Sequence, residues 1–153
     1  MPTLEGILPI ADDTLLTISG LGGFQYQARG LSQTMSVIAQ TKQQVRTING
    51  NMKDVSNPAF RKFASKITCT DVDAPPLDGL FPGMIVTVQC AVEFVYLIGN
   101  SGSPFRNPVS GSEYTQGDYT HYRPELEMMV MDVQHTLDEW KHDNGWELDL
   151  EEV

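Results

Sequence analysis

Residues 146–153 read WELDLEEV. Trp146, Leu148 and Leu150 fall on one parity and Glu147, Asp149 and Glu151 on the other. Strict alternation describes a β-strand with one apolar face and one wholly acidic face. The segment immediately upstream, YRPELEMMVMDVQHTLDEW (residues 122–140), continues as a long strand or strand pair, and Asp143-Asn144-Gly145 offers the chemistry of a tight hairpin turn.

Further toward the N-terminus the same texture repeats. KITCTDV (66–72) and MIVTVQCAVEFVYLI (84–98) are rich in β-branched residues and read as strands that form a core hairpin or at least share a sheet, separated by the turn-forming DAPPLDGLFPG. Residues 34–50, TMSVIAQTKQQVRTING, alternate well and end in Asn49-Gly50, a hairpin signal. A helix over residues 35–46 is the alternative, because Met35, Ile38 and Val45 can share a helical stripe. SNPAFRKF (56–63) carries a Ser56 or Asn57 cap with Pro58 in the first turn, predicting a short helix over 58–64. Residues 1–34 mix Gly, Pro and short apolar groups and read as an extended arm or a strand pair turned at Gly20, Gly22 and Gly23. Residues 99–118 form a long polar loop, of the kind that is functional or folds against a partner. Short strands punctuated by turns predict a mainly β domain, an antiparallel sandwich or barrel with one short helix, spanning 35–153 behind the N-terminal arm. Its expected buried positions are Ile67, Val86, Val88, Val92, Phe94, Val130 and Trp146.

At 153 residues the chain suits one domain, and its 41% apolar content is that of a globular protein. No apolar stretch approaches the roughly 20 residues that span a bilayer, and the N-terminus lacks the basic and apolar regions of a secretion signal. The expectation is a protein made in the cytoplasm with no membrane partner.

Charge is segregated along the chain. The twelve acids from Glu113 onward meet two bases, Arg123 and Lys141, so the C-terminal quarter carries the whole net charge of −10. Residues 29–66 hold Arg29, Lys42, Arg46, Lys53, Arg61, Lys62 and Lys66 against Asp54 alone. Spaced cations and an acidic total oppose nucleic-acid binding and favour complementary surfaces that meet between copies. Arg29, Arg46, Arg61 and Lys62 are the candidate subunit contacts. Glu147, Asp149 and Glu151 are the candidate acidic face.

Reactive chemistry is sparse. Cys69 and Cys90 lack a CxxC partner and read as buried thiols in a reducing compartment rather than as a disulfide or a zinc site. Asp71, Asp73 and Asp78 fail calcium-loop spacing, and His121, His135 and His142 match no metal-binding pattern. No nucleophile motif or phosphate-cradling loop is present. The reading is therefore no enzyme, no catalytic residue, no metal and no cofactor.

Residues 57–90, NPAFRKFASKITCTDVDAPPLDGLFPGMIVTVQC, with YRPELEMMVMDV (122–133) and GWELDLEEV (145–153), resemble the small β-rich virion structural proteins of tailed bacteriophages, of tail and neck type. That resemblance implies a non-enzymatic subunit that assembles into homo-oligomeric rings with other virion proteins, localised to the virion after assembly in the host cytoplasm. In such a ring DNA passes without specific binding, and an acidic lumen keeps its phosphates from sticking. The alternatives are a capsid decoration or cement protein, a small metal-dependent enzyme, and, for WELDLEEV itself, an outer strand whose charges merely blunt its edge.

Overall fold

A computed structural model describes residues 15–19, 22–23, 28–71, 77–99, 103–141 and 143–153. The strands are β1 (Thr17–Ile18), β2 (Gly22–Gly23), β3 (Ala28–Val37), β4 (Gln44–Arg46), β5 (Met52–Asp54), β6 (Phe63–Asp71), β7 (Ile85–Gln89), β8 (Phe94–Leu97), β9 (Tyr114–Gln116), β10 (Tyr119–Tyr122), β11 (Glu125–Asp138) and β12 (Asp143–Glu152). Seven form one antiparallel sheet in the order β2-β1-β7-β11-β12-β6-β3, while β8-β10-β9 and β4-β5 form two smaller ones. The fold is mainly β, a curled antiparallel sheet that makes a half-barrel.

Alternation decides which face of the large sheet is buried. Ile67, Val86, Val88, Leu126, Met128, Val130, Trp146, Leu148 and Leu150 are all buried, on adjacent strands in matched register. β11 keeps this register by a bulge: Val130 faces Leu150 and Asp132 faces Asp149, which leaves Met131 as the extra residue. Val130 and Val133 have opposite parity in the sequence, yet both pack toward the core because Met131 shifts the phase. A polar tie records the curl. Gln33 on the edge strand β3 donates to Ser65 Oγ (3.0 Å) and accepts from the amides of Ala91 (2.8 Å) and Val92 (3.3 Å), just after β7. Only a strongly curled sheet brings those strands together.

Several expectations change in detail. β6 and β7 share the sheet but are not neighbours, because the β11–β12 hairpin lies between them and its long strands pair with both. Residues 84–98 do not run on as one strand: the chain breaks at 90–93, leaves the large sheet and re-enters the small one as β8. Val92 and Phe94 are consequently half-buried, with Phe94 packed on Phe63 (5.2 Å) and Tyr122 (6.0 Å) in an aromatic group beside the main core.

Residues 35–46 likewise split. β3 ends at Val37 and a 3-10 turn, Ala39–Thr41, precedes β4. The short helix expected over 58–64 is a single 3-10 turn, Pro58–Phe60, with the Asn57 side chain capping the Ala59 amide. A hairpin does form at Asn49-Gly50, with Ile48 and Asn49 rather than Asn49 and Gly50 as its two central residues. Gly50 donates to Thr47 O and adopts φ 83°, the left-handed residue that follows a tight turn. Asp143-Asn144-Gly145, by contrast, lies inside β12 opposite Asp138, Leu137 and Thr136, and the turn forms earlier because Asp138 Oδ1 accepts the amides of Trp140 and Lys141.

β1 pairs with β2, so Gly22 and Gly23 lie in a strand rather than in the turn expected of them, and β1 also pairs with β7, so Leu16 and Ile18 belong to the core. Residue 34, the expected end of the arm, lies within β3. Residues 1–14 lie outside the described residues.

Candidate functional site

The large sheet buries one face and carries a group of carboxylates on the other, along β11 and β12. Glu147, Asp149 and Glu151 of β12 point away from the buried Trp146, Leu148 and Leu150. Across the strand, Asp132 stands directly opposite Asp149, and Glu125 and Glu127 lie on the same face of β11 opposite Gln89 and Thr87. Opposed like charges on paired strands weaken a sheet. Lys66 of β6, opposite Asp149, relieves part of this: its Nζ lies 2.7 Å from Glu147 Oε1, and that contact raises the ammonium pKa above its ordinary value. Asp132 is held at the bulge by the Val133 amide (2.9 Å) and by Gln134 Nε2 (3.2 Å).

Glu152, on the core parity, does different work. Its Oε1 lies 2.8 Å from Arg106 Nε, and its Oε2 accepts from Arg106 Nη2 (3.1 Å) and from the Phe63 amide (3.0 Å). Arg106 also donates to Arg61 O (2.8 Å) and stacks on Phe105 and Phe63. With Tyr122 Oη receiving the Arg106 amide, Val109 bonded to Arg123 and Glu125 to Asn107, the described part of the long polar loop is fastened to its own chain. Sequence reading missed this clamp, since Arg106 and Glu152 are 46 residues apart and nothing local links them.

The four candidate contact residues are spread over different elements. Arg29 lies in β3 at the register position of Thr70. Arg46 lies in β4, where its Nη1 donates to Gly50 O (2.9 Å). Arg61 follows the 3-10 turn and is exposed, and Lys62 Nζ donates to Val153 O (3.0 Å), tying β6 to the end of β12. Between Arg46 and Arg61, β4 and β5 form a separate hairpin in which every residue from 42 to 55 is exposed, Val45, Ile48, Met52 and Val55 included. The exposed apolar side chains in this basic segment were the signal available in the sequence.

No disulfide joins Cys69 and Cys90, which are both buried thiols. Burial pushes the Cys90 thiol up to about 11. Because the thiolate is the reactive form, an aromatic disulfide reagent at pH 8 should leave Cys90 unmodified in the native protein and label it at once in urea. Rapid native labelling would contradict the buried placement. The same shift makes stability fall with pH: an unfolded chain gives up this proton near its ordinary value of 9.0, the folded one near 11, so the folded state loses ground between them.

Among the described residues no group of three or more His, Cys, Asp or Glu is placed to hold a metal ion. Asp78 is exposed in the Leu77–Leu80 turn, Asp71 ends β6, and Asp73 and His142 lie outside the described residues. His135 is exposed opposite Trp146. His121 stacks on Tyr114 (4.7 Å) with Glu93 Oε2 3.9 Å from its Nδ1. Glu93 also accepts from Tyr114 Oη (3.2 Å), and burial followed by this carboxylate raises the phenol. Tyr114 and His121 lie on the small sheet and Glu93 just before it, with Tyr114 and Glu93 exposed. No helix among the described residues is long and apolar enough to cross a membrane. No protein-family model, no curated protein and no solved structure matches the chain.

Proposed function

We propose that this chain is a non-enzymatic structural subunit of a tailed-bacteriophage tail or neck, working as a homo-oligomeric ring around the DNA path. The observation that carries the reading is the acidic sheet face. Carboxylates of β11 and β12 are gathered on one side of the half-barrel, Asp132 and Asp149 directly opposed, with Lys66 as their close cationic partner. Gathering like charges costs stability, which a protein accepts where the surface has a task. Turned toward a DNA path, this face repels phosphates and keeps the duplex moving.

A second support is the ten-residue edge strand β3, ARGLSQTMSV, which pairs on one side with β6. Beyond the register shift between Arg29 and Ser32 it lacks proline, lysine and acidic residues, which commonly guard an exposed edge, and among the described residues no strand covers its other side. Such an edge suits pairing with a neighbouring subunit.

The test is the mass of the purified protein by light scattering across a concentration series, with negative-stain images of the same sample. Closed rings or short tubes are the expected result. A stable monomer would overturn self-assembly, and binding of that monomer to preformed capsids would reassign it as a decoration protein.

A further inference from the structure

Among the described residues the β4–β5 hairpin joins neither of the two other sheets. Its strands pair, among the described residues, with each other alone, Gln44 with Asp54, Val45 with Lys53 and Arg46 with Met52. An isolated two-stranded hairpin gains too little burial to be stable in water. This one also leaves Val45, Ile48, Met52 and Val55 in solvent, Ile48 fully so at its tip. Its charge is positive. Lys42, Arg46 and Lys53 are opposed by Asp54, whose Oδ1 is engaged by the Ser56 amide (2.9 Å) and hydroxyl (2.6 Å). Pairing places Val45 and Lys53 on one face, so an apolar group and a cation are presented together.

The acidic sheet face holds the complement. A hollow there is lined by Ser36, Ala64, Lys66, Met131, Asp149 and Glu151. Ala64 and the bulge residue Met131, itself half-exposed, supply apolar surface, and Asp149 and Glu151 supply carboxylates at the rim. Lys66 is already engaged by Glu147 and does not neutralise Glu151.

We infer that the β4–β5 hairpin of one copy seats in this hollow on the acidic face of a second copy, Val45 and Ile48 against Met131 and Ala64, Lys53 against Asp149 and Glu151. The inference rests on the reading of the chain as a self-assembling subunit and names the surfaces it uses: it takes up Asp149 and Glu151 and leaves Glu125 and Glu127, on the same face further along β11, to line the DNA path. Burial in the hollow supplies the cover the hairpin lacks, and the charges set its register. Because the two surfaces differ, the contact is head-to-tail and propagates into a ring or a filament rather than stopping at a symmetric dimer.

The experiment uses two full-length variants, Ile48→Ser/Lys53→Glu on the hairpin and Asp149→Asn/Glu151→Gln on the hollow, so that the two altered surfaces are not complementary to each other. All four side chains lie outside the core, and circular dichroism checks that each variant stays folded. By sedimentation velocity each variant alone should associate about thirtyfold more weakly than wild type or worse. An equimolar mixture should regain wild-type affinity but stop at pairs, because each pair contains one intact hairpin and one intact hollow.

Variants that assemble like wild type, or a mixture that stays monomeric while wild type assembles, would overturn the inference and leave ring formation standing. Hairpin-dependent filaments that never close would uphold the inference and overturn the ring. A wild type that is monomeric at every concentration would overturn both. Titration with a fluorescent DNA duplex adds a last arm: binding abolished by Lys53→Glu, without self-association, would reassign the hairpin to nucleic acid and overturn the inference.

Discussion

Trp146→Ala should cost about 3–5 kcal/mol, the range for emptying a large aromatic side chain from a core. Trp146 is 3% exposed, stands beside Cys69 on β6 and His135 on β11, and shares the core with Leu148 and Leu150 on its own strand. A domain of this size holds about 5–15 kcal/mol in all. The variant should therefore unfold at far lower urea or fail to accumulate, and Trp146→Phe should recover much of the loss. Trp140, 93% exposed on the β11–β12 turn, is the internal control. Its replacement by alanine should leave the urea midpoint almost unmoved and remove the acrylamide-quenched part of the fluorescence. Equal losses at the two sites would show that β12 does not present its apolar parity to the core.

Removing one partner of the Arg106–Glu152 pair should be the next most damaging change. Arg106 and Glu152 side chains are 19% and 10% exposed. Breaking a fully buried pair costs about 3–5 kcal/mol; with this residual solvent contact, Glu152→Ala should cost about 2–3 kcal/mol. The loss has two parts, an uncompensated guanidinium and an orphaned Phe63 amide. Glu152→Gln keeps an acceptor for that amide and should cost less, about 1–2 kcal/mol. A double-mutant cycle with Arg106→Ala, read by urea unfolding, separates the pair from the stacking of Arg106 on Phe105 and Phe63. A coupling near zero would mean that the loop is held by its aromatic and backbone contacts alone. If the pair acts as the clamp, hydrogen exchange in residues 103–113 should rise in Glu152→Ala before the core strands open.

The two predictions sit on opposite sides of what could be read from the chain. Trp146 was assignable because strand alternation has a period of two and needs no knowledge of neighbours: once WELDLEEV is a strand, one parity must be buried and the other must be solvated. The same logic placed Glu147, Asp149 and Glu151 together. It failed locally at β11, where one bulge residue, Met131, reverses the phase and carries Val133 inward, since a bulge depends on a partner strand that lies elsewhere in the sequence. Arg106 and Glu152 meet only because the loop returns across the end of β12.

By itself, then, the sequence determined the β class, the two faces of the last strand, the hairpin at Asn49-Gly50 and the separation of positive from negative charge, all of which arise from backbone geometry and side-chain chemistry within a few residues. Tertiary structure alone decided that β11 and β12 would stand between β6 and β7, that the polar loop would be pinned by Glu152, and that the basic segment would project as an uncovered hairpin rather than lie flat. Those outcomes depend on which distant surfaces exclude water from one another, a competition among pairings that no local pattern records.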